Sequence, residues 1–156
     1  MKEVVLSLLI CMGVAVTANA QTGTVSEDNK SVSQADSLFK VKLYNEEFDL
    51  VAEVNFYEAD VNVPRMEMFG PQPGYLIRRQ TNYPWIIAEA EVEDNRTAQL
   101  VIINDAGSED LTATLTCEND SVYVLKQGRG STIKVPKGNK WMKLPPVITL
   151  KTKKDK

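Results

Sequence analysis

The chain has 156 residues, 43% of them hydrophobic and 25% charged, which is enough apolar content to bury one core and too much for a disordered polymer. A formal net charge of −3 predicts no general affinity for nucleic acid, and the complete lack of histidine removes the commonest general base, the usual serine or cysteine triad and the favoured zinc ligand. Two cysteines are too few for a thiolate metal cluster or a disulfide framework.

Met1-Lys2-Glu3 precedes an apolar run from Val4 to Val16, then Thr17-Ala18-Asn19-Ala20 and Gln21. A charged start, a short apolar core and an A-x-A site make the pattern of a secretory signal, so residues 1–20 are expected to be cleaved and the protein exported, periplasmic or secreted. The apolar run is shorter than the ~20 residues a spanning helix needs, which confines membrane contact to the signal before cleavage. Cys11 lies inside that run behind the bulky Ile10, so lipoprotein processing is not expected. Cleavage leaves Cys117 as the one cysteine. With no disulfide to form, the fold must hold by packing.

Residues 21–36 are mostly Ser, Thr, Asn, Gln and acids with little to bury, and read as a flexible leader. Residues 37–152 read as a single β domain and 153–156 as a basic tail. Leu38 to Tyr44 sets Phe39, Val41 and Leu43 against Lys40 and Lys42, a half-buried strand. Phe48 to Tyr57 is a second, with Phe48, Leu50, Ala52, Val54 and Phe56 on one face. If the two pair, Lys40 and Lys42 come near Asp49 and Glu53, opposite charges across the wet side.

Residues 58–84 are broken by Pro64, Gly70, Pro71, Pro73, Gly74 and Pro84, yet carry Met66, Met68, Phe69, Tyr75, Ile77 and Tyr83. Long irregular stretches are uncommon unless functional, and so much apolar surface is not idle. Two readings stand: an irregular hairpin, Val61 to Phe69 with Tyr75 to Gln80, covering one open end of the sheet, or a lid in which adaptable Met side chains touch a ligand.

Trp85 to Val92 and Thr97 to Ile103 flank an Asp94-Asn95 turn; Leu111 to Cys117 and Val122 to Gln127 flank Asn119-Asp120. Tight Asx turns between alternating runs predict two hairpins. In the first arm Ile86, Ala88, Ala90 and Val92 share the expected dry face, while Glu89, Glu91 and Glu93 share the wet one. Leu111, Ala113, Leu115 and Cys117 share another dry face, so Cys117 reads as a small buried hydrophobe. Turns are expected at Gln127 to Gly130 and Pro136 to Asn139, with short strands at Ser131 to Val135, Lys140 to Leu144 and Val147 to Lys151.

Asn104 to Asp110 gathers oxygen ligands round Gly107 as a hard-cation loop would, but lacks the regular spacing and length of a calcium loop. Asx, Gly and Ser are equally what a hairpin turn needs. Glu89, Glu91 and Glu93 make a row of carboxylates better explained by solvation than by acid–base chemistry. From Lys126 onward ten Lys or Arg face one acid, Asp155, whereas Gln21 to Leu125 holds seven basic and nineteen acidic residues. That asymmetry suits either an anionic surface or pairing of Lys126, Lys134 and Lys143 with acidic neighbours. Trp85, Tyr123 and Trp141 suit either core packing or a sugar or lipid site. No nucleotide-binding or cofactor motif occurs.

Short strands joined by tight turns, without a long helix, predict an all-β antiparallel meander of about eight strands. Closing it into a small barrel removes the exposed edges, with a two-sheet sandwich as the alternative. The arrangement resembles the calycin or lipocalin-like group in topology, without the Gly-x-Trp signature of true lipocalins near the first strand. The expectation is an exported, non-enzymatic cell-envelope protein with no cofactor and no metal. It would hold a small apolar ligand in the barrel, with Met66, Met68, Phe69, Tyr75, Ile77, Tyr83 and Trp85 at the mouth. The second expectation is an interaction or inhibitor module that offers the 58–84 surface to an envelope protein or a glycan.

Overall fold

A computed structural model describes residues 38–153; the expected signal peptide and leader, and all but the first residue of the basic tail, lie outside the described residues. The strands are β1 Lys40–Asn45, β2 Leu50–Asn55, β3 Gly74–Arg78, β4 Trp85–Val92, β5 Thr97–Asn104, β6 Asp110–Asn119, β7 Val122–Gly130, β8 Lys134–Lys137, β9 Lys140–Lys143 and β10 Val147–Thr152. Eight of them close into an antiparallel barrel in the order β1-β10-β7-β6-β5-β4-β3-β2, and β8 with β9 forms a separate hairpin. The architecture is the closed barrel and not the sandwich. Its seam is β1 against β10, registered at Leu43 with Thr152 and Tyr44 with Lys151. Beyond that point the Asn45 side-chain amide donates to the Thr149 carbonyl at 2.9 Å, continuing the seam with a side chain in place of a main-chain rung.

Inward residues follow the period of two. Leu43 comes from β1, Leu50, Ala52 and Val54 from β2, Ala98, Leu100 and Ile102 from β5, and Leu111, Ala113, Leu115 and Cys117 from β6. With Leu125, Ile148 and Leu150 they belong to one buried cluster. An eight-stranded barrel is narrow enough for such side chains to fill it. Burying each large aliphatic group stabilises the fold by roughly 1.5–3 kcal/mol.

Both ends of the barrel are apolar. At one, Phe39 stacks on Phe56 with centroids 5.3 Å apart and meets Tyr123 edge-on at 6.4 Å. The Tyr123 hydroxyl donates to the Leu38 carbonyl at 2.6 Å. At the other, Ile133, Val135 and Leu144, carried on and beside the β8–β9 hairpin, join the same interior cluster. That hairpin is tied down by the Trp85 indole, whose Nε1 donates to the Lys134 carbonyl at 2.8 Å, and by Gln127, whose Nε2 donates to the Pro145 carbonyl at 2.8 Å.

Several sequence expectations need correction. The dry face expected for β4 is interrupted by a bulge between Ile87 and Glu89, which adds one residue, Ala88, to the strand. Before it, Trp85 and Ile87 point inward and Ile86 outward; after it, Ala90 packs on the core and Val92 is exposed. Gln127 to Gly130 is strand rather than turn, because β7 bulges opposite Thr112 and runs on to pair Gly130 with Leu111. Gly130 holds φ +108 there, which a side chain rarely adopts. Pro136 and Lys137 likewise belong to β8, and the turn is confined to residues 138–139.

The 58–84 segment is not a hairpin laid over an end of the barrel. Its Tyr75–Gln80 arm contains β3, a full wall strand paired to β2 and β4, and the rest makes one isolated bridge, Val61 to Gln72. Val61 and Val63 pack with Tyr75 and Ile86 in a second cluster, joined by Met66, Ile77 and Ile103. Tyr75, Ile86 and Ile103 alternate with the inward Leu76, Ile87 and Ile102, so this cluster lies on the outer wall. Residues 61–72 therefore fold along the outside of β3, β4 and β5, a position fixed by outward apolar residues on three neighbouring strands.

Of the expected charge pairs, Lys42 meets Glu53 at 3.5 Å, but Lys40 pairs with Glu58 at 2.7 Å and Asp49 with Arg79. Lys134 pairs with Glu109 at 2.8 Å, whereas Lys143 stands opposite Lys134 across the β8–β9 hairpin.

Candidate functional site

The β5–β6 turn separates two surface grooves, and most of the residues singled out from the sequence gather around it. Asn104 builds the turn: its Oδ1 accepts the main-chain N–H groups of Ser108 at 2.9 Å and Glu109 at 3.2 Å, and its Nδ2 donates to the Ser108 hydroxyl at 3.1 Å. This is Asx-turn chemistry, and it already engages the side chain that a cation would need first. Among the described residues no group of three acidic or thiol side chains is placed to hold a metal ion.

The first groove, about 160 Å³, is lined by Met66, Phe69 and Gln72 on one side, Ile86 and Ile103 at its base, and residues 104–107 on the other side. It exists because the 3-10 turn Glu67–Phe69 lifts Met68 and Phe69 away from the wall while Val63 and Met66 stay packed against it. Met68 and Phe69 are exposed. Tyr75 and Ile77, expected at a ligand, instead form the wall behind this segment. The Tyr75 hydroxyl donates to Glu53 Oε2 at 3.1 Å, and burial, with that carboxylate beside it, pushes its pKa up to about 12.

The second groove, about 460 Å³, is bounded by Tyr83, Trp85, Asn104, Asp105, Ala106, Glu109, Lys134 and Trp141. Tyr83 and Trp141 meet edge to face, centroids 5.1 Å apart and planes at 73°, and both are exposed. Trp85 is buried behind them, its indole turned into the core and its N–H engaged by Lys134. Of the three aromatics weighed for a sugar or lipid site, Trp85 and Tyr123 are core and Trp141 is surface. Trp141 is absent from the residues expected at a mouth, although its sequence carries a signal: it shares strand parity with Lys143, so it falls on the wet face of β9.

A larger trough of about 650 Å³ follows the β1–β10 seam past Tyr44, Asn45, Thr149 and Lys151. Its arginine, Arg79, is paired with Glu46 at 3.1 Å and with Asp49, so that guanidinium is already engaged by carboxylates. Cys117 is a free thiol buried in the core, with Sγ 3.0 Å from the Asn119 carbonyl. No family model matches the chain, and neither does any curated protein or solved structure.

Proposed function

We propose that this protein is an exported, non-enzymatic interaction module of the cell envelope, whose barrel is a rigid support and whose contact surface is the outer wall built by residues 58–84. The observation that carries the reading is the pair at the 3-10 turn: Met68 is 98% exposed and Phe69 68% exposed, on a segment whose other side is pinned to the barrel through Val61 and Val63. Isolated apolar side chains on a surface are ordinary, but two large ones raised beside an apolar groove are what a protein partner can desolvate. Met adapts its shape to such a partner, and an aromatic ring supplies area at low conformational cost. Export rests on the Met1 to Ala20 pattern and is tested by mass spectrometry of the mature chain, expected to begin near Gln21.

The competing proposal, an apolar ligand held inside the barrel, requires Leu100, Ile102, Leu115 and Leu150 to part, since these are buried against one another. Opening such a core costs the dispersion and transfer energy of each group moved. A single experiment separates the two readings. Envelope fractions from the source cells are incubated with labelled mature protein and sedimented. Wild type is expected to co-sediment, and a Met68→Ser/Phe69→Ser variant with an unchanged urea midpoint is expected to stay in solution. Equal sedimentation of both would remove the outer-wall surface from the proposal, and an apolar small molecule co-purifying with the native protein would favour the interior.

A further inference from the structure

We infer that the cleft between Tyr83 and Trp141 is a binding site for a neutral carbohydrate, separate from the Met68 and Phe69 surface across the β5–β6 turn. The two exposed rings stand at 73° with centroids 5.1 Å apart. An edge-to-face pair leaves ring surface open to solvent, and a pyranose presents a flat face of C–H groups that such a surface can cover. The cleft measures about 460 Å³, within the roughly 300–1,000 Å³ of small-ligand sites.

Its polar groups decide the ligand's charge. Asp105 and Glu109 face Lys134 as the one cation lining the cleft, and Lys134 is already held by Glu109 at 2.8 Å. An anionic sugar or a phosphate would meet two carboxylates against one paired ammonium. A purely apolar ligand would strip water from those carboxylates without replacing it. Hydroxyl groups answer both objections, since each donates to a carboxylate and accepts from an ammonium. Among the described residues, the Asp105 carboxylate and the Tyr83 hydroxyl make no hydrogen bond, so both are available to a ligand.

The site is also preorganised. Trp141 rides on a hairpin fixed by the Trp85 indole to the Lys134 carbonyl at 2.8 Å and by the Leu144 N–H to the Ile133 carbonyl at 2.8 Å. Little ordering remains to oppose binding. Lys137 and Lys140, at the hairpin's tip, lie outside the cleft lining. They make an anionic bilayer the rival occupant, with Trp141 as an interfacial anchor.

The test is isothermal titration calorimetry of the mature protein with cellotetraose, chitotetraose and maltotetraose, run beside sedimentation with phosphatidylglycerol vesicles. A saturable heat change at millimolar or lower concentration with at least one of the sugars is expected, with no vesicle binding. Trp141→Ala is expected to weaken that binding by about tenfold or more, Asp105→Asn to weaken it, and Met68→Ser/Phe69→Ser to leave it unchanged. An unchanged urea midpoint confirms that each variant is folded. No saturable heat change with any of the three sugars, an unaltered titration in Trp141→Ala, or binding to vesicles alone would overturn the inference.

Discussion

Ile133→Ala tests whether the β8–β9 insertion is part of the barrel's core or an ornament on its rim. Ile133 is fully buried in the interior cluster. Its N–H donates to Gln127 Oε1 at 2.8 Å and its carbonyl accepts the Leu144 N–H at 2.8 Å. Both bonds are made by main-chain atoms of Ile133 and survive truncation, so the substitution removes packing alone. Three buried carbons at about 0.8 kcal/mol each give about 2.4 kcal/mol of lost transfer energy. A cavity left unfilled at the barrel's end raises the total into the range of about 2–5 kcal/mol. In a urea titration followed by tryptophan emission the midpoint should fall by about 1–3 M at unchanged slope. Thr132→Ala, at the exposed neighbouring position, serves as the control and should shift stability by less than about 0.5 kcal/mol. A loss under about 1 kcal/mol for Ile133→Ala would show that the hairpin does not seal the interior.

Tyr123→Phe removes the hydroxyl that donates to the Leu38 carbonyl at 2.6 Å, and is expected to cost about 1–3 kcal/mol by the same titration, because the carbonyl is left without that partner. Gly130→Ala places a side chain at φ +108 against the Asp110 carbonyl and should destabilise by about 1–3 kcal/mol, read as a lower melting temperature. Tyr75 titrates near 12 in the fold against an ordinary 10.0, so the folded state keeps its proton longer. Its contribution is complete below pH 10 and is lost as the pH rises towards 12, and Tyr75→Phe should flatten that part of a urea-midpoint profile.

The paired runs of β4 with β5 and of β6 with β7 were legible because their information is local. Alternation sets the faces of Leu111 to Cys117, and Asx residues at the turns set the register. The bulge at Ala88 was not legible, since one extra residue is tolerated only because β5 opposite supplies the pairing on both sides of it. Local pattern also leaves the destination of residues 61–72 open. Val61 and Val63 announce that they need cover, but the cover, Tyr75, Ile86 and Ile103, becomes a single surface only once three strands are side by side. The same holds for Ile133 and Val135, whose burial depends on where a hairpin inserted between β7 and β10 comes to rest. Met66, Met68 and Phe69 were recognisable as too apolar for an idle loop. Which of them pack and which protrude depends on the 3-10 turn at Glu67–Phe69.

Outer-wall recognition, as opposed to a ligand enclosed by the strands, is tested most directly by methyl NMR of the mature protein as solubilised envelope fraction is added. The Met66 and Met68 methyl signals are expected to shift or broaden, while those of Leu100, Leu115 and Ile148, buried inside the barrel, stay where they are. Perturbation of the interior methyls with Met66 and Met68 unmoved would contradict the proposal and place the ligand within the barrel.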